Sequence, residues 1–440
     1  MGIKSASFSR FVLILLFITL PYLNCKKVAP TSPVKSSSFN PLPGRTIPEA
    51  VGFNLHITGP DRDLDRINES GIKFVRKDLF WNSVERLKGQ YSFSEYDRLL
   101  LGLEQRGIRA ILILCYGNPI YPKPEDTEEG REAYARFAAE AVRHYKGRNV
   151  LWEIWNEPNV MHFWKGPGDH NSNEFADQYV AMVKKAVPAM READPDCYIA
   201  GGAVSCLWVN SFKWLDRCFK QGLLKTGINA LSVHPYGFAR PELCIDEGYG
   251  HLRRMLTQYG ASDFPVLNTE VGYNADEAIL GPKSLRLEHQ AWHFVRQHLV
   301  DLMCDIRMTI WYTWNDDHGF RLVDDDMSAL PVFTACKTMI ELLSGYHYAE
   351  RIETGSDLDY VLVFKKDPAQ RKLVCWTTPQ GRDDTPEKAG KHDVGIPAGI
   401  ASVNLHDIYG NVSSVTTTDG KITLSLTGSP QYVDINGEVK

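Results

Sequence analysis

Eight short β-rich runs alternate with helical stretches over residues 46–345, which predicts the α/β class and a (β/α)8 TIM barrel. After Gly345 the helical pattern stops, and runs that alternate apolar and polar residues predict a C-terminal antiparallel β-sandwich domain over residues 346–440. Neither G-x-G-x-x-G nor a Walker loop is present, which disfavours the alternative reading, a doubly wound open sheet.

The strand candidates follow in order. They are "VGFNL" from Val51, "IKFVRKD" from Ile72, "RAILILC" from Arg109 and "VLWEIW" from Val150. "CYIAGG" from Cys197, "ALSVHP" from Ala230, "PVLNTE" from Pro265 and "IRMTIWYTW" from Ile306 complete the set. Segments such as "REAYARFAAEAVRHY" and "NEFADQYVAMVKKAVPAM" carry the helical period between them. In the C-terminal part, "DYVLVFKKD", "RKLVCWTT", "ASVNLHDIYGN" and "KITLSLTG" read as strands, and "TPQGRDDTPEKAGKHD" as a solvated loop.

The N-terminus reads as a targeting segment. Lys4 and Arg10 precede the apolar run "FVLILLFITL", Phe11 to Leu20, which is short for a bilayer span and fits the apolar region of a secretory signal. "PYLNCKK" then resembles the lipobox of bacterial lipoproteins. That resemblance implies a signal over residues 1–25, lipidation of Cys25, and a protein held in the periplasm or at the cell surface. Residues 26–45, rich in Pro and Ser, read as a tether. The net charge of −5 comes with no basic block that could neutralise a phosphate backbone, so nucleic acid is disfavoured as a partner. An oxidising compartment would permit a Cys206–Cys218 or Cys206–Cys244 bridge. Cys115, Cys304 and Cys375 sit in apolar stretches that favour buried reduced thiols. The chain has no C-x-x-C pair, and no metal or organic cofactor is expected.

Active sites of such barrels lie at the C-terminal ends of the strands. Two ends carry a glutamate: Glu157, in "LWEIWNEPNV" after the fourth strand, and Glu270, in "FPVLNTEVGYN" at the end of the seventh. A Glu before Pro can be plain exposed loop, and Glu270 alone could cap a helix. Two carboxylates on one rim can instead divide the labour, one donating a proton and the other staying ionised, which is what cleavage of a glycosidic bond requires. Glu153 lies deeper on the same strand. Buried, it needs a basic partner, and Arg76 of "FVRKD" is the candidate.

The run "WEIWNEPN" resembles the acid/base signature of clan A of the retaining glycoside hydrolases. "NEPNVMHFWKG" and "GFRLVDDDMSALPVF" are most similar to family 39, which holds β-xylosidases, and "NTEVGYN" is also compatible with family 5-like cellulases. The resemblance implies Glu157 as acid/base, Glu270 as nucleophile, and Asn156 as a hydrogen-bond partner of the sugar 2-hydroxyl. It further implies that His234 and Tyr236 orient the nucleophile or touch sugar, that Arg76 steadies the nucleophile, and that Trp314, on one face with Tyr312, forms the floor under the ring. Asn54, His56, Trp81 and Tyr116 are weaker candidates for sugar contacts. The implied activity is retaining hydrolysis of O-glycosidic bonds in a poly- or oligosaccharide. The rival reading is a catalytically silent carbohydrate-binding lipoprotein that keeps the barrel as a scaffold.

Other motifs are bland. His289 and His293 at i, i+4 lack the Glu of a zincin helix and read as a surface helix. Asp324 to Asp326 lack EF-hand spacing and read as a solvated loop. No G-x-S-x-G elbow supports a serine hydrolase.

Overall fold

The computed structural model describes residues 46–57, 61–276, 283–315, 319–367, 370–382 and 388–436. The expected signal segment, Cys25 and the tether lie outside the described residues.

Eight parallel strands close a barrel in sequence order. They are β1 (Val51–Asn54), β2 (Phe74–Phe80), β3 (Arg109–Cys115), β4 (Leu151–Ile154), β5 (Tyr198–Ser205), β6 (Ala230–His234), β7 (Val266–Val271) and β8 (Thr309–Trp311). β1 closes the ring by pairing on both sides, with Asn54 opposite Arg76 and Val51 opposite Thr309. Its Gly52 is needed there: a Cβ would lie 2.5 Å from Ile310 Cδ1 and 2.7 Å from the Phe74 carbonyl oxygen. The helices that matter below are α1 (Asp61–Glu69), α2 (Val209–Lys220), α3 (Lys283–Met303) and α4 (Pro331–Leu343).

Inward-facing Phe74, Ile111, Leu151, Ala230, Leu267 and Ile310 form a dry plug at the N-terminal end of the barrel. The period of two then carries Arg76, Glu153, Ser232 and Thr269 to the next inward layer. All four are buried. The change from apolar to polar between these layers marks the floor of the mouth.

The C-terminal domain is antiparallel. Strands β9 (His347–Arg351), β10 (Asp359–Lys365), β11 (Gln370–Thr377), β13 (Ser402–His406), β14 (Val412–Thr416) and β16 (Gln431–Asn436) form one sheet in the order β14-β13-β16-β11-β10-β9. β12 (His392–Pro397) pairs with β15 (Lys421–Leu426) in a second, smaller sheet. Alternation decides which face packs where. Val361, Val363, Leu373, Cys375, Val433 and Ile435 meet Ile396, Ile422 and Leu424 of the smaller sheet. Leu362, Phe364, Val374, Trp376 and Tyr432 join the core shared with the barrel helices. A buried ion pair of the barrel is tied to the C-terminal domain: Arg296 of α3 donates to both oxygens of Glu242 at 2.7 and 2.6 Å, and Trp376 Nε1 of β11 donates to Glu242 Oε1 at 2.8 Å. Burial alone would raise the Glu242 carboxyl, but Arg296 and these hydrogen bonds hold it below the usual range.

Two expectations are corrected here. His289 and His293 are buried rather than on a surface helix, because α3 is covered by packing on both sides. The eight described cysteines form no disulfide, so neither bridge from Cys206 is present.

Candidate active site

Arg76 organises the mouth of the barrel. Its Nε donates to Glu153 Oε2 at 2.6 Å, and its Nη1 to Glu270 Oε2 at 2.6 Å and to Asn54 Oδ1 at 3.2 Å. Its Nη2 donates to Asn156 Oδ1 at 2.9 Å and approaches His234 Nε2 at 3.4 Å. The five contacts use all the N–H donors of a guanidinium. Burial on its own would lower the Arg76 pKa, but Glu153 and Glu270 reverse that and raise it, so the charge is fixed. Glu153, fully buried, has Arg76 as the partner its position requires, and Thr269 Oγ1 donates to its other oxygen at 2.6 Å. Burial would raise the Glu153 carboxyl; Arg76 first, with the Thr269 hydrogen bond, holds it below the usual range.

Glu157 and Glu270 reach this cluster by irregular backbone. β4 ends at Ile154, and Trp155 and Glu157 take positive φ of 65° and 47°. Such values are costly for residues with a Cβ and persist where the surroundings impose them. Here the Glu157 N–H is held by the Ala203 carbonyl at 3.1 Å, and the Trp155 indole donates to the Phe163 carbonyl at 3.2 Å. On β7, Thr269 already points inward, so strict alternation would turn Glu270 outward. The register with β8 shifts between Asn268 and Val271, and this bulge turns Glu270 back to the mouth.

His234 links the two glutamates. Its Nδ1 lies 2.9 Å from Glu157 Oε1, and its Nε2 faces Arg76. A guanidinium can only donate, so Nε2 must accept, and Nδ1 carries the proton toward Glu157. Tyr236 donates to Glu270 Oε1 at 3.1 Å, and burial together with the Glu270 and Glu157 carboxylates raises its phenol well above the usual range. One oxygen each of Glu157 and Glu270 and one ring nitrogen of His234 lie within 4.8 Å of one another. Among the described residues this group is close enough to share a cation, and Arg76 already brings positive charge to it.

The remaining candidates divide. Asn54 is in the cluster, with its Nδ2 buried and without a partner. Tyr116 lies beside the Asn156 side chain and packs edge-on to Trp155 at 5.3 Å. Tyr312 is half-buried at the rim, with His56 5.2 Å and Phe320 5.3 Å from its ring. Trp314 does not form the floor under a sugar. Its indole is fully buried, donates to Asp63 of α1 at 3.0 Å and stacks on Phe53 at 6.0 Å. The alternation that placed it beside Tyr312 fails because β8 ends at Trp311. Trp81 is likewise buried, between Tyr121 and Phe137, and donates to Glu85. Two residues not singled out from sequence support the mouth. Thr269 orients Glu153, and Asn159 clamps the end of β5 by bonding both the Ser205 carbonyl and the Ser205 N–H. Thr269 could have been found from the period of two; Asn159 had no local signal.

Known proteins agree with this architecture. A β-xylosidase of Geobacillus stearothermophilus is 27% identical over 132 residues, 29% of this chain and 24% of that protein. The chain thus spans about a quarter of the length of this curated relative. A family 39 glycoside hydrolase from the gut symbiont Bacteroides cellulosilyticus WH2 superposes with a TM-score of 0.70 at 23% identity, covering 88% of this chain and 81% of that one. A monomeric β-xylosidase from Caulobacter crescentus CB15 superposes with a TM-score of 0.64 at 12% identity, over 90% and 97% of the two chains. Likeness at these identities speaks for the fold. The model for cellulase (glycosyl hydrolase family 5) matches residues 46–317, which is the barrel with both glutamates, and the chain belongs to that family.

Proposed function

We propose that the protein is a β-glycosidase that cleaves O-glycosidic bonds of a poly- or oligosaccharide by double displacement with retention. The observation that carries this reading is the approach of one carboxyl oxygen of Glu157 to one of Glu270 across one mouth, within 4.8 Å. Retaining enzymes hold their two carboxyl groups roughly 5–5.5 Å apart, whereas inverting enzymes need roughly 6.5–9.5 Å to admit a water.

The roles follow from the hydrogen bonds. Arg76 and Tyr236 each donate to Glu270, on different oxygens, which fixes its carboxyl group in the mouth for the part of nucleophile. His234 occupies only Oε1 of Glu157, so Oε2 can carry the proton. In the first step a Glu270 oxygen bonds to the anomeric carbon, the glycosidic C–O bond breaks, and the Glu157 proton passes to the departing oxygen. In the second step Glu157, now ionised, takes a proton from water. That water oxygen bonds to the anomeric carbon and Glu270 leaves. Asn156, turned toward the mouth by its bond to Arg76, is placed to meet the sugar 2-hydroxyl, a contact that strengthens as positive charge develops on the ring. β-Xylosides are the first substrates to try, because the curated relative is a β-xylosidase. We also propose that lipidated Cys25 holds the enzyme at a membrane surface.

A panel of aryl β-glycosides with anomer detection by NMR tests the reading. It predicts β-anomer as the first product from the active substrate. First-formed α-anomer, or a protein that binds glycans and turns over none, would contradict it; the second outcome is that of a silent binding module.

A further inference from the structure

Next to the mouth, on the β5–β6 side, lies an open groove of about 740 Å³ lined by Trp208, Val209, Phe212, Phe238, His251 and Arg382. Trp208 stands at the start of α2, and its side chain is large, apolar and 53% exposed. The ring is nevertheless held in place from below. A Cβ on Gly237 would lie 2.0 Å from Trp208 Cζ2 and 2.6 Å from Cε2, so the indole rests on the bare Gly237 backbone, whose φ is +90°. Gly237 directly follows Tyr236, the donor to Glu270. The Trp208 loop is tied to the same rim, because the Cys206 N–H bonds to the His234 carbonyl at 2.8 Å. Gly237 and Phe238 also line a second cavity with Tyr236 and Val271, so the groove borders the residue that bonds Glu270.

The far wall comes from the other domain. Arg240 Nη1 donates to the carbonyls of Gly381 and Arg382 at 2.7 and 2.9 Å, and Arg382 Nε donates to Glu247 at 3.1 Å. The segment that leaves β11 is thereby fixed against the barrel rim.

Chemistry decides which end of a substrate this groove meets. Glu157 hands its proton to the leaving group, so the leaving group lies on its side of the scissile bond. Asn54 and Tyr116 occupy the β1–β3 side and, with Asn156 beside Glu157, are left for the sugar that is transferred. The β5–β6 side remains for the leaving group. An indole with one face supported and the other open offers a flat apolar surface to the C–H face of a pyranose.

We propose that Trp208, seated on Gly237 and faced by Arg382 of the C-terminal domain, is the platform for a sugar leaving group, so that the substrate is a glycan cleaved between sugars rather than a simple glycoside. This rests on the glycosidase reading above. The test compares the full chain with Trp208→Ala and Trp208→Phe on two pairs of probes: β-D-xylopyranosyl fluoride with xylotriose, and β-D-glucopyranosyl fluoride with cellotriose. Fluoride leaves the groove empty; the trisaccharides fill it. For Trp208→Ala the ratio of kcat/KM on trisaccharide to that on fluoride is expected to fall about tenfold. Trp208→Phe should recover part of the loss, and the change should lie mainly in KM. An unchanged ratio in Trp208→Ala overturns the inference. So does a ratio that falls in Phe163→Ala but not in Trp208→Ala, which would put the leaving group in a separate cavity lined by Tyr116, Asn118, His162 and Phe163. Wild-type protein that cleaves a fluoride but neither trisaccharide overturns it while leaving the glycosidase reading standing. Protein inert on all four probes and on the aryl β-glycoside panel overturns both.

Discussion

Arg76 Nε lies 2.6 Å from Glu153 Oε2, with the two side chains 2% and 0% exposed. This pair sits directly beneath Glu270 and Asn156, so the charge that holds Glu270 is itself held from below. Removing one partner of a buried pair leaves an uncompensated charge and costs roughly 3–5 kcal/mol. Glu153→Gln should therefore lower unfolding stability by an amount in that range, read from chemical denaturation. A denaturation midpoint equal to wild type would mean the pair contributes nothing.

Glu157→Gln tests the proton donor. Positioned acid catalysis contributes about 10²–10⁴-fold. The variant should lose that much kcat/KM on a substrate whose leaving group needs a proton, and far less on a glycosyl fluoride. Equal losses on both would remove Glu157 from the acid role.

Trp314 should behave as a packing residue. Trp314→Phe leaves the buried Asp63 oxygen without its donor at 3.0 Å, a change that costs about 1–3 kcal/mol. Unfolding should report that loss, while KM of the folded enzyme stays at the wild-type value. A raised KM with unaltered stability would return Trp314 to the sugar site.

Two buried histidines make stability fall in acid. Burial pushes the imidazole of His293 down to about 3 and that of His298 down to about 4. An unfolded chain titrates them near 6.5. Both therefore contribute fully above about pH 6.5, where neither state is charged. As pH falls below that, the unfolded state takes up protons the folded state refuses, and stability is lost down to the folded values. Between pH 7 and pH 5 the loss is about 2 kcal/mol for each histidine. Unfolding of wild type and of His293→Gln/His298→Gln at both pH values checks this. The double variant should show a pH difference smaller by about 4 kcal/mol, and an identical difference would contradict the assignment.

The barrel was legible in the sequence because strand and helix periods alternate cleanly, and because parallel strands in a closed barrel are shielded on both faces. "RAILILC" is β3 residue for residue. Glu157 and Glu270 were legible as residues at strand ends, and Glu153 with Arg76 from the cost of burying a lone charge. Alternation could not give the path by which the glutamates enter the mouth. Glu157 depends on positive φ at two residues, and Glu270 on a register shift in β7. Trp314 was misplaced for the same reason: alternation was carried past the end of β8. The buried face of α3 was hidden because its histidines and Arg296 look like surface residues until Trp311 of the barrel packs on His293 and His298 and the C-terminal domain meets Arg296.

The central claim is that Glu270 becomes covalently bonded to sugar while Glu157 supplies the proton. Incubation with a 2-deoxy-2-fluoro β-glycoside bearing a dinitrophenyl leaving group, followed by peptide mass spectrometry, tests it most directly. The account predicts one fluorosugar per protein, attached to the peptide containing Glu270, and no label in Glu270→Gln. A label on any other residue, or turnover that leaves the intact protein unlabelled and inverts the anomeric centre, would contradict it.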